Sequence, residues 1–346
     1  MINIDIQPLD NEAKEKALTR QNNLTKPPGS LGKLEELSAQ LAGIYRNPLP
    51  RITNKVTVVA AGDHGVVDEG VSQYPQDVTG QMVLNFLTGG AAINAISQNS
   101  NSDIMVVDAG VKSDLPSHPQ LLSMKIDKGT KNFAKQPAMT IEQAEKTVNN
   151  GISLANELHK QNTDLVACGE MGIGNTTSAS AITAIICDRQ PREVTGRGTG
   201  IDQESLKLKI DVIEKSILLH NPNPLDGVDI LSKVGGFEIG FLAGLMLGCA
   251  SNNIAVLIDG FICTAAALIA NAINPHVNDY MLGSHKSVEP GHIVALEHLG
   301  LHPLFDLNLR LGEGTGAALV MPIIQASVKC LTDMATFGEA GVSDSS

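Results

Sequence analysis

Tryptophan is absent from this chain, and Phe, Trp and Tyr together make up only 3% of it. A core of stacked aromatics is therefore excluded. The interior must be built from Val, Ile, Leu, Ala and Met packed around many glycines, which suits a parallel sheet wrapped by helices better than a β-sandwich. No run of Lys and Arg occurs and the formal net charge is −12, which excludes a broad nucleic-acid surface. An anionic ligand must then be held locally, by backbone N–H groups and isolated cations. CxxC is also missing. The five cysteines, at 168, 187, 249, 263 and 330, are odd in number and each lies in an apolar stretch. That pattern is expected of free thiols in a reducing cytosol. The opening stretch MINIDIQPLDNEAKEKALTRQNNL is polar and does not read as a signal peptide. The most apolar segment, Ile254–Ala272, is interrupted by Asp259, Gly260 and Asn271, so it reads as a buried strand followed by a helix, not a membrane span. The expected location is cytoplasmic.

What is present is enough apolar residue, 42% of 346, for one large α/β domain or a large domain plus a small one. Residues 11–45 read as helical, interrupted at Lys26–Gly32, where two prolines and a glycine forbid a continuous helix. Four short apolar or β-branched runs predict buried parallel strands: Lys55–Ala61, Asp103–Ala109, Asp164–Cys168 and Asn253–Ile258. Helices are expected at Thr79–Ser97, Ile141–His159, Thr176–Ile186, Gln203–Leu219, Phe237–Ala250, Phe261–Ala272 and Gly316–Cys330. This alternation predicts a doubly wound sheet. The strands end in AGDHG, VDAG, CGEMG and IDGF, and ligands of open α/β sheets gather at such carboxyl ends. Gly341–Ser346 is expected to fray.

Four stretches carry residues suited to chemistry. In Arg310-Leu311-Gly312-Glu313-Gly314-Thr315-Gly316 an acid is framed by glycines just before a helix. The helix dipole would hold Glu313 ionised, and close approach of a flat ligand would make it a general base. A simple helix cap is the competing reading. In Gly169-Glu170-Met171-Gly172-Ile173-Gly174-Asn175-Thr176 a strand turns into a helix whose free N–H groups form an anion site. Alternatively, Asn175 or Thr176 merely caps that helix. Thr195-Gly196-Arg197-Gly198-Thr199-Gly200, followed by Lys207 and Lys209, reads as a phosphate cradle or a surface loop. Asp63-His64 after the first strand reads as structural or substrate-orienting, because no other histidine lies nearby. His298 and His302 have helical spacing, but Gly300 lies between them and Pro303 follows, so a solvated turn is expected in place of a zinc site. No metal or cofactor is expected.

These pieces resemble the nicotinate-nucleotide–dimethylbenzimidazole phosphoribosyltransferases of cobalamin lower-ligand assembly. The matching stretches run in the family's order from residue 26 to about 325: KPPGSLGKLE, AGDHGVVDEGVSQYPQDVT, GEMGIGNTT, NPLDGVDILSKVGGFEI, VLIDGF and RLGEGTGAALVMPI. The resemblance implies that Glu313 is the general base and that Glu170 is the second catalytic acid. It implies phosphate and ribose contacts around Gly174, Asn175, Thr176 and Lys209, with Asp259 and Ser284 near the nucleotide. Leu311 falls in the substrate site. Ser72–Met82, with Tyr74 and Met82, falls along the base pocket, where members differ.

The same resemblance implies a Rossmann-like parallel sheet flanked by helices, with a small helical domain built from both chain ends. The divisions are 1–45, 46–300 and 301–346. It also implies a homodimer in which each small domain helps cover the partner's site. The substrates would be nicotinate mononucleotide and a benzimidazole-type base. A pyridinium leaving group departs as a neutral nitrogen base, which removes the usual need for a metal. Two other classes are weighed against this. An NAD-dependent dehydrogenase would need GxGxxG after the first strand and an acid about 20 residues on, and both are missing. A non-catalytic nucleotide or base carrier would bind without turnover.

Overall fold

A computed structural model of the chain describes residues 2–198 and 200–343. Its centre is a six-stranded, all-parallel sheet. The strands are β1 (Lys55–Gly62), β2 (Asp103–Gly110), β3 (Leu121–Ser123), β4 (Leu165–Met171), β5 (Ala255–Ile258) and β6 (Met281–Gly283). Their order is β3-β2-β1-β4-β5-β6, so the winding direction reverses between β1 and β4. This is the doubly wound arrangement, whose ligand crevice opens at that reversal. The four expected strands are present. The two edge strands are additional, each three residues long and too short to give a periodic signal.

Both faces of the sheet are covered, as a parallel sheet requires. Side chains alternate across it: Val59 and Ala61 pack with Val83, Phe86, Ile93 and Ala318, while Val58 and Ala60 join the larger core with Phe237, Phe241 and Leu245. One expected helix is corrected. Thr79–Ser97 is two helices, Val78–Thr88 and Ala92–Ser100, because Gly89 takes the left-handed conformation (φ +82°) and ends the first. The break gives the second helix an N-terminus of its own, which proves important below.

Helix Phe237–Ser251 is apolar on all sides and buried throughout except Ser251. It lies against helix Ile141–Lys160 almost backbone to backbone. A Cβ on Gly244 would collide with the Val148 carbonyl oxygen, and one on Gly151 with that of Phe241. Glycines at 240, 244 and 248 thus form the strip that lets the two helices meet.

The chain ends are tied together. Helix Lys33–Ile44 packs on helix Thr315–Asp333. Arg20 donates to the carbonyls of Leu331 (2.9 Å) and Met334 (3.1 Å), and Leu24 bridges Thr336. The Pro-Pro-Gly turn is anchored by Lys26 Nζ, 2.8 Å from Glu35 Oε1, with both side chains buried. Helix Thr315–Asp333 is long and apolar enough to cross a membrane, but it is a core helix, with Val320, Met321, Ile324 and Leu331 buried. Cys168, Cys249 and Cys263 are buried and Cys187 and Cys330 half-buried; all five are free. Of the C-terminal stretch expected to fray, residues 341–343 are exposed and residues 344–346 lie outside the described residues.

Gly244→Ala is expected to destabilise the fold by roughly 1–3 kcal/mol through overpacking, despite the ~1 kcal/mol gained in helix propensity. Gly338→Ala, where nothing lies within 4 Å of the new methyl, is expected to be neutral or slightly stabilising. Urea unfolding of the two variants measures the contrast.

Candidate active site

The loops at the carboxyl ends of β1, β4 and β5 converge with the segment Arg310–Gly314. Gly312, Glu313 and Gly314 are three successive left-handed residues, at φ +89°, +63° and +85°. They lay the chain directly on β4: Glu313 N donates to Glu170 O (3.2 Å), and a Cβ on Gly169 would collide with the Glu313 carbonyl. A Cβ on Gly312 would strike Glu170 Oε1. The two acids expected to carry the chemistry, 143 positions apart in sequence, are thereby brought together.

Glu170 is buried, and its Oε2 accepts a short hydrogen bond from Asn175 Nδ2. Burial pushes its carboxyl up to about 8, Asp259, Glu238 and Glu313 add to the rise, and the Asn175 amide opposes it. Glu313 is 5% exposed, and its Oε2 accepts from Ile93 N at 3.3 Å. Ile93 stands in the first turn of helix Ala92–Ser100. The N–H that Glu313 accepts from is therefore in this second helix, not in the helix following it in sequence. Burial raises the Glu313 carboxyl above the ordinary range, the Ile93 N–H acts against that rise and Asp259 adds to it. Glu313 does not cap its own helix. Gly314 is the cap residue there, and Asp259 supplies the acceptors, taking Gly314 N at 3.2 Å and Ala317 N at 3.0 Å.

Asp259 is thus a clamp, 1% exposed, with His285 Nδ1 at 3.8 Å from its Oδ1. The Ser284 hydroxyl is paired with His285 Nδ1 at 3.0 Å. Both lie beside the cleft, but their side chains are committed to protein groups. Asn175 is likewise committed to Glu170, and the helix it begins is capped by left-handed Gly174 (φ +91°), not by a side chain. Thr176 Oγ1 accepts from Lys209 Nζ at 2.7 Å. Lys209 is 1% exposed; burial lowers its ammonium to about 8, against the pull of Glu289. The glycine-rich loop at 195–200 is brought to this point, since a Cβ on Gly198 would lie 2.9 Å from Thr176 Oγ1 and 3.6 Å from Lys209 Nζ. Thr199 lies outside the described residues.

A cleft opens beside these groups, lined by Glu170, Thr176, Gly198, His285, Arg310 and Leu311. Leu311 is 57% exposed at its rim. Met82 and Met171 each pack against the smaller core, and Thr79 Oγ1 accepts from Ile173 N (3.1 Å), which ties helix Val78–Thr88 to the β4 turn. Tyr74 is half-exposed on the preceding loop. His64 is fully buried behind the site, between Ser178 Oγ (3.0 Å) and Glu238 Oε1 (2.5 Å), and Asp63 Oδ2 accepts from Lys112 N (2.7 Å). His298 and His302 are exposed. Among the described residues no group of three or more His, Cys, Asp or Glu is arranged to hold a metal ion. Sequence reasoning did not single out Glu289, which sits at a helix start where a capping role is the default, or the Ile93 N–H, which the glycine break alone exposes.

Residues 6–342 match the family described as Phosphoribosyltransferase. The chain is 54% identical over 339 residues to the nicotinate-nucleotide–dimethylbenzimidazole phosphoribosyltransferase of Chloroflexus aggregans, covering 98% of this chain and 96% of the relative. It is 51% identical over 339 residues to the Desulforamulus reducens protein of the same name, covering 98% and 97%. A crystal structure of the enzyme so named from Thermus thermophilus superposes with a TM-score of 0.92 at 43% identity, over 97% of this chain and all of that one. With the fold, the crevice and the glycine-framed acid in agreement, the chain belongs to the nicotinate-nucleotide–dimethylbenzimidazole phosphoribosyltransferase family.

Proposed function

We propose that this protein transfers the 5-phosphoribosyl group of nicotinate mononucleotide to 5,6-dimethylbenzimidazole or a related base, giving α-ribazole 5′-phosphate and nicotinate. The observation that carries the reading is the convergence of Glu170 and Glu313 at the mouth of the β1/β4 reversal, beside a buried lysine at a helix start.

In this reading the donor phosphate sits against Gly174, Asn175 and Thr176 at the helix N-terminus, with Lys209 beside it. The base lies between Met82, Leu311 and Tyr74, over Glu313. One benzimidazole nitrogen attacks C1′ while the C1′–pyridinium bond breaks and its electron pair returns to the pyridine nitrogen. Glu313 takes the proton from the second benzimidazole nitrogen. Glu170 faces the sugar. A cation beside it favours its ionised form, so charge on Glu170 grows with the positive charge on the ribose and stabilises it. Asp259 and Ser284 act from behind, Asp259 by fixing the Gly314–Ala317 turn that aims Glu313. The remaining rate comes from alignment of donor and acceptor. The helices of residues 1–45 and 301–346 form the small unit on the 46–300 body. The working form is a cytoplasmic homodimer in which that unit covers the partner's cleft. No cofactor enters the scheme.

The direct test is incubation of the purified protein with nicotinate mononucleotide and 5,6-dimethylbenzimidazole, with mass-spectrometric detection of α-ribazole 5′-phosphate. Binding without turnover would favour the carrier instead. Glu313→Gln is expected to lower turnover on the order of 100- to 10,000-fold while leaving donor affinity nearly unchanged; near-wild-type turnover in a folded variant would remove the base assignment. Glu170 has a second, independent signature. Its folded carboxyl titrates near 8, above its ordinary value, so its stability contribution is intact below about 4.5 and is lost as pH rises through 8. Glu170→Gln should therefore raise the thermal midpoint at pH 8, with the gain shrinking towards pH 5. The dimer is tested by mixing Glu313→Gln chains with chains altered in Lys26–Gly32, each homodimer being inactive alone. Shared sites predict partial recovery, and none in verified mixed dimers would exclude sharing.

A further inference from the structure

Glu289 stands at the N-cap position of helix Pro290–Leu299, where a carboxylate ordinarily caps its own helix. It makes no side-chain cap bond there. The carboxylate turns instead onto the glycine-rich loop, so that a Cβ on Gly196 would collide with its Oε2. The residue is 8% exposed, and Oε2 is buried without a hydrogen-bond partner. It lines the same cleft as Thr176 and Gly198. The charged groups facing it are Lys209, from helix Gln203–His220, and Arg310, from the segment ahead of Gly312; the Gly198 N–H also points to it. Glu170 and His285 line the cleft further along. A half-unsatisfied acid thus lies where the proposed function puts a phosphate, directed at the same ammonium and the same amide.

We propose that Glu289 is a rival anion to the phosphate: it competes with the phosphate of donor and product for Lys209 and the Gly198 N–H, and it takes up a proton when the phosphate binds. The inference rests on the reading that places the phosphate beside Thr176 and Lys209. Two anions in one desolvated cleft repel, and protonation of the weaker one relieves the repulsion. Burial already raises the Glu289 carboxyl above the usual range, with Lys209, the Gly198 N–H and Arg310 acting against the rise, and a bound phosphate acts in the same direction as burial. Donor and product carry the same phosphate. A group that weakens both lowers ground-state binding and hastens product release, which keeps binding energy from being spent equally on ground and transition states.

The test is the affinity of sulfate, whose charge is constant between pH 5 and 7.5, and of ribose 5-phosphate, by calorimetry. Wild-type, Glu289→Gln, Glu289→Ala and Lys209→Met proteins are compared. In the wild type, sulfate should bind more tightly as pH falls from 7.5 to 5. Both Glu289 variants should bind ribose 5-phosphate about tenfold more tightly at pH 7.5, and should lose most of the pH dependence that the wild type shows with sulfate. Their KM for the nucleotide should fall without a matching rise in kcat. Weaker binding in a folded Glu289→Gln protein, or wild-type sulfate affinity that is flat or rises with pH, overturns the proposal, and in those cases a loss of affinity in Lys209→Met leaves the phosphate site itself standing. Unchanged affinity in Lys209→Met removes the phosphate site, and the role of Glu289 with it.

Discussion

The site depends on one backbone contact. The carbonyl of Glu313 presses against the α-carbon of Gly169, and the Glu313 N–H closes on the Glu170 carbonyl. No side chain fits between the two segments. Gly169 and Gly312 are required for the approach, and Gly312 and Gly314 also supply left-handed backbone at little cost. Glu313 itself is left-handed at φ +63°, a conformation that strains a residue with a side chain by roughly 1–2 kcal/mol. Asp259 offsets that strain by accepting two N–H groups of the following turn. A slip in this contact would carry both carboxylates away from each other.

Electrostatics follow from it. Glu170, Asp259 and Glu313 are gathered in a buried space, and their carboxyls are all raised. Such a cluster is unfavourable in isolation, and a cationic group in the cleft relieves it. A pyridinium nucleotide passing through an oxocarbenium-like state is such a group. Towards Thr176 the character differs, with Lys209 buried and Glu289 facing it. The cleft thus changes character along its length, in a protein whose overall charge is strongly negative.

The surrounding fold serves to hold that polarity still. The doubly wound order places the ends of β1 and β4 side by side, and the glycine strip on helix Phe237–Ser251 brings helix Ile141–Lys160 close behind the sheet. His64 and Glu238, both fully buried, fill the space beneath the β4 turn. The N-terminal helices brace helix Thr315–Asp333, whose first turn follows Glu313. Both ends of the chain therefore bear on the position of Glu313.

The sheet's four central strands, most of the helices, the lack of any Lys/Arg run and the family were legible in the residues alone. These are local or additive properties: apolar runs, glycine and proline punctuation, net charge and motif order. Glycine framing marked Glu313 as a base or a helix cap, and the family resemblance assigned it the role of base and pointed to Glu170 as the second acid. The partners of these groups came from packing between distant segments. The Gly89 break separated two helices and gave Glu313 the Ile93 N–H from 220 positions away. Asp259 accepts two N–H groups of the turn after Glu313, and Asn175 donates to Glu170. Glu289, which reads locally as a helix cap, faces Lys209 across 80 positions. Hydrogen bonds and desolvation depend on distances between segments remote in sequence, and those distances exist only once the sheet has closed its register and the helices have packed on both its faces.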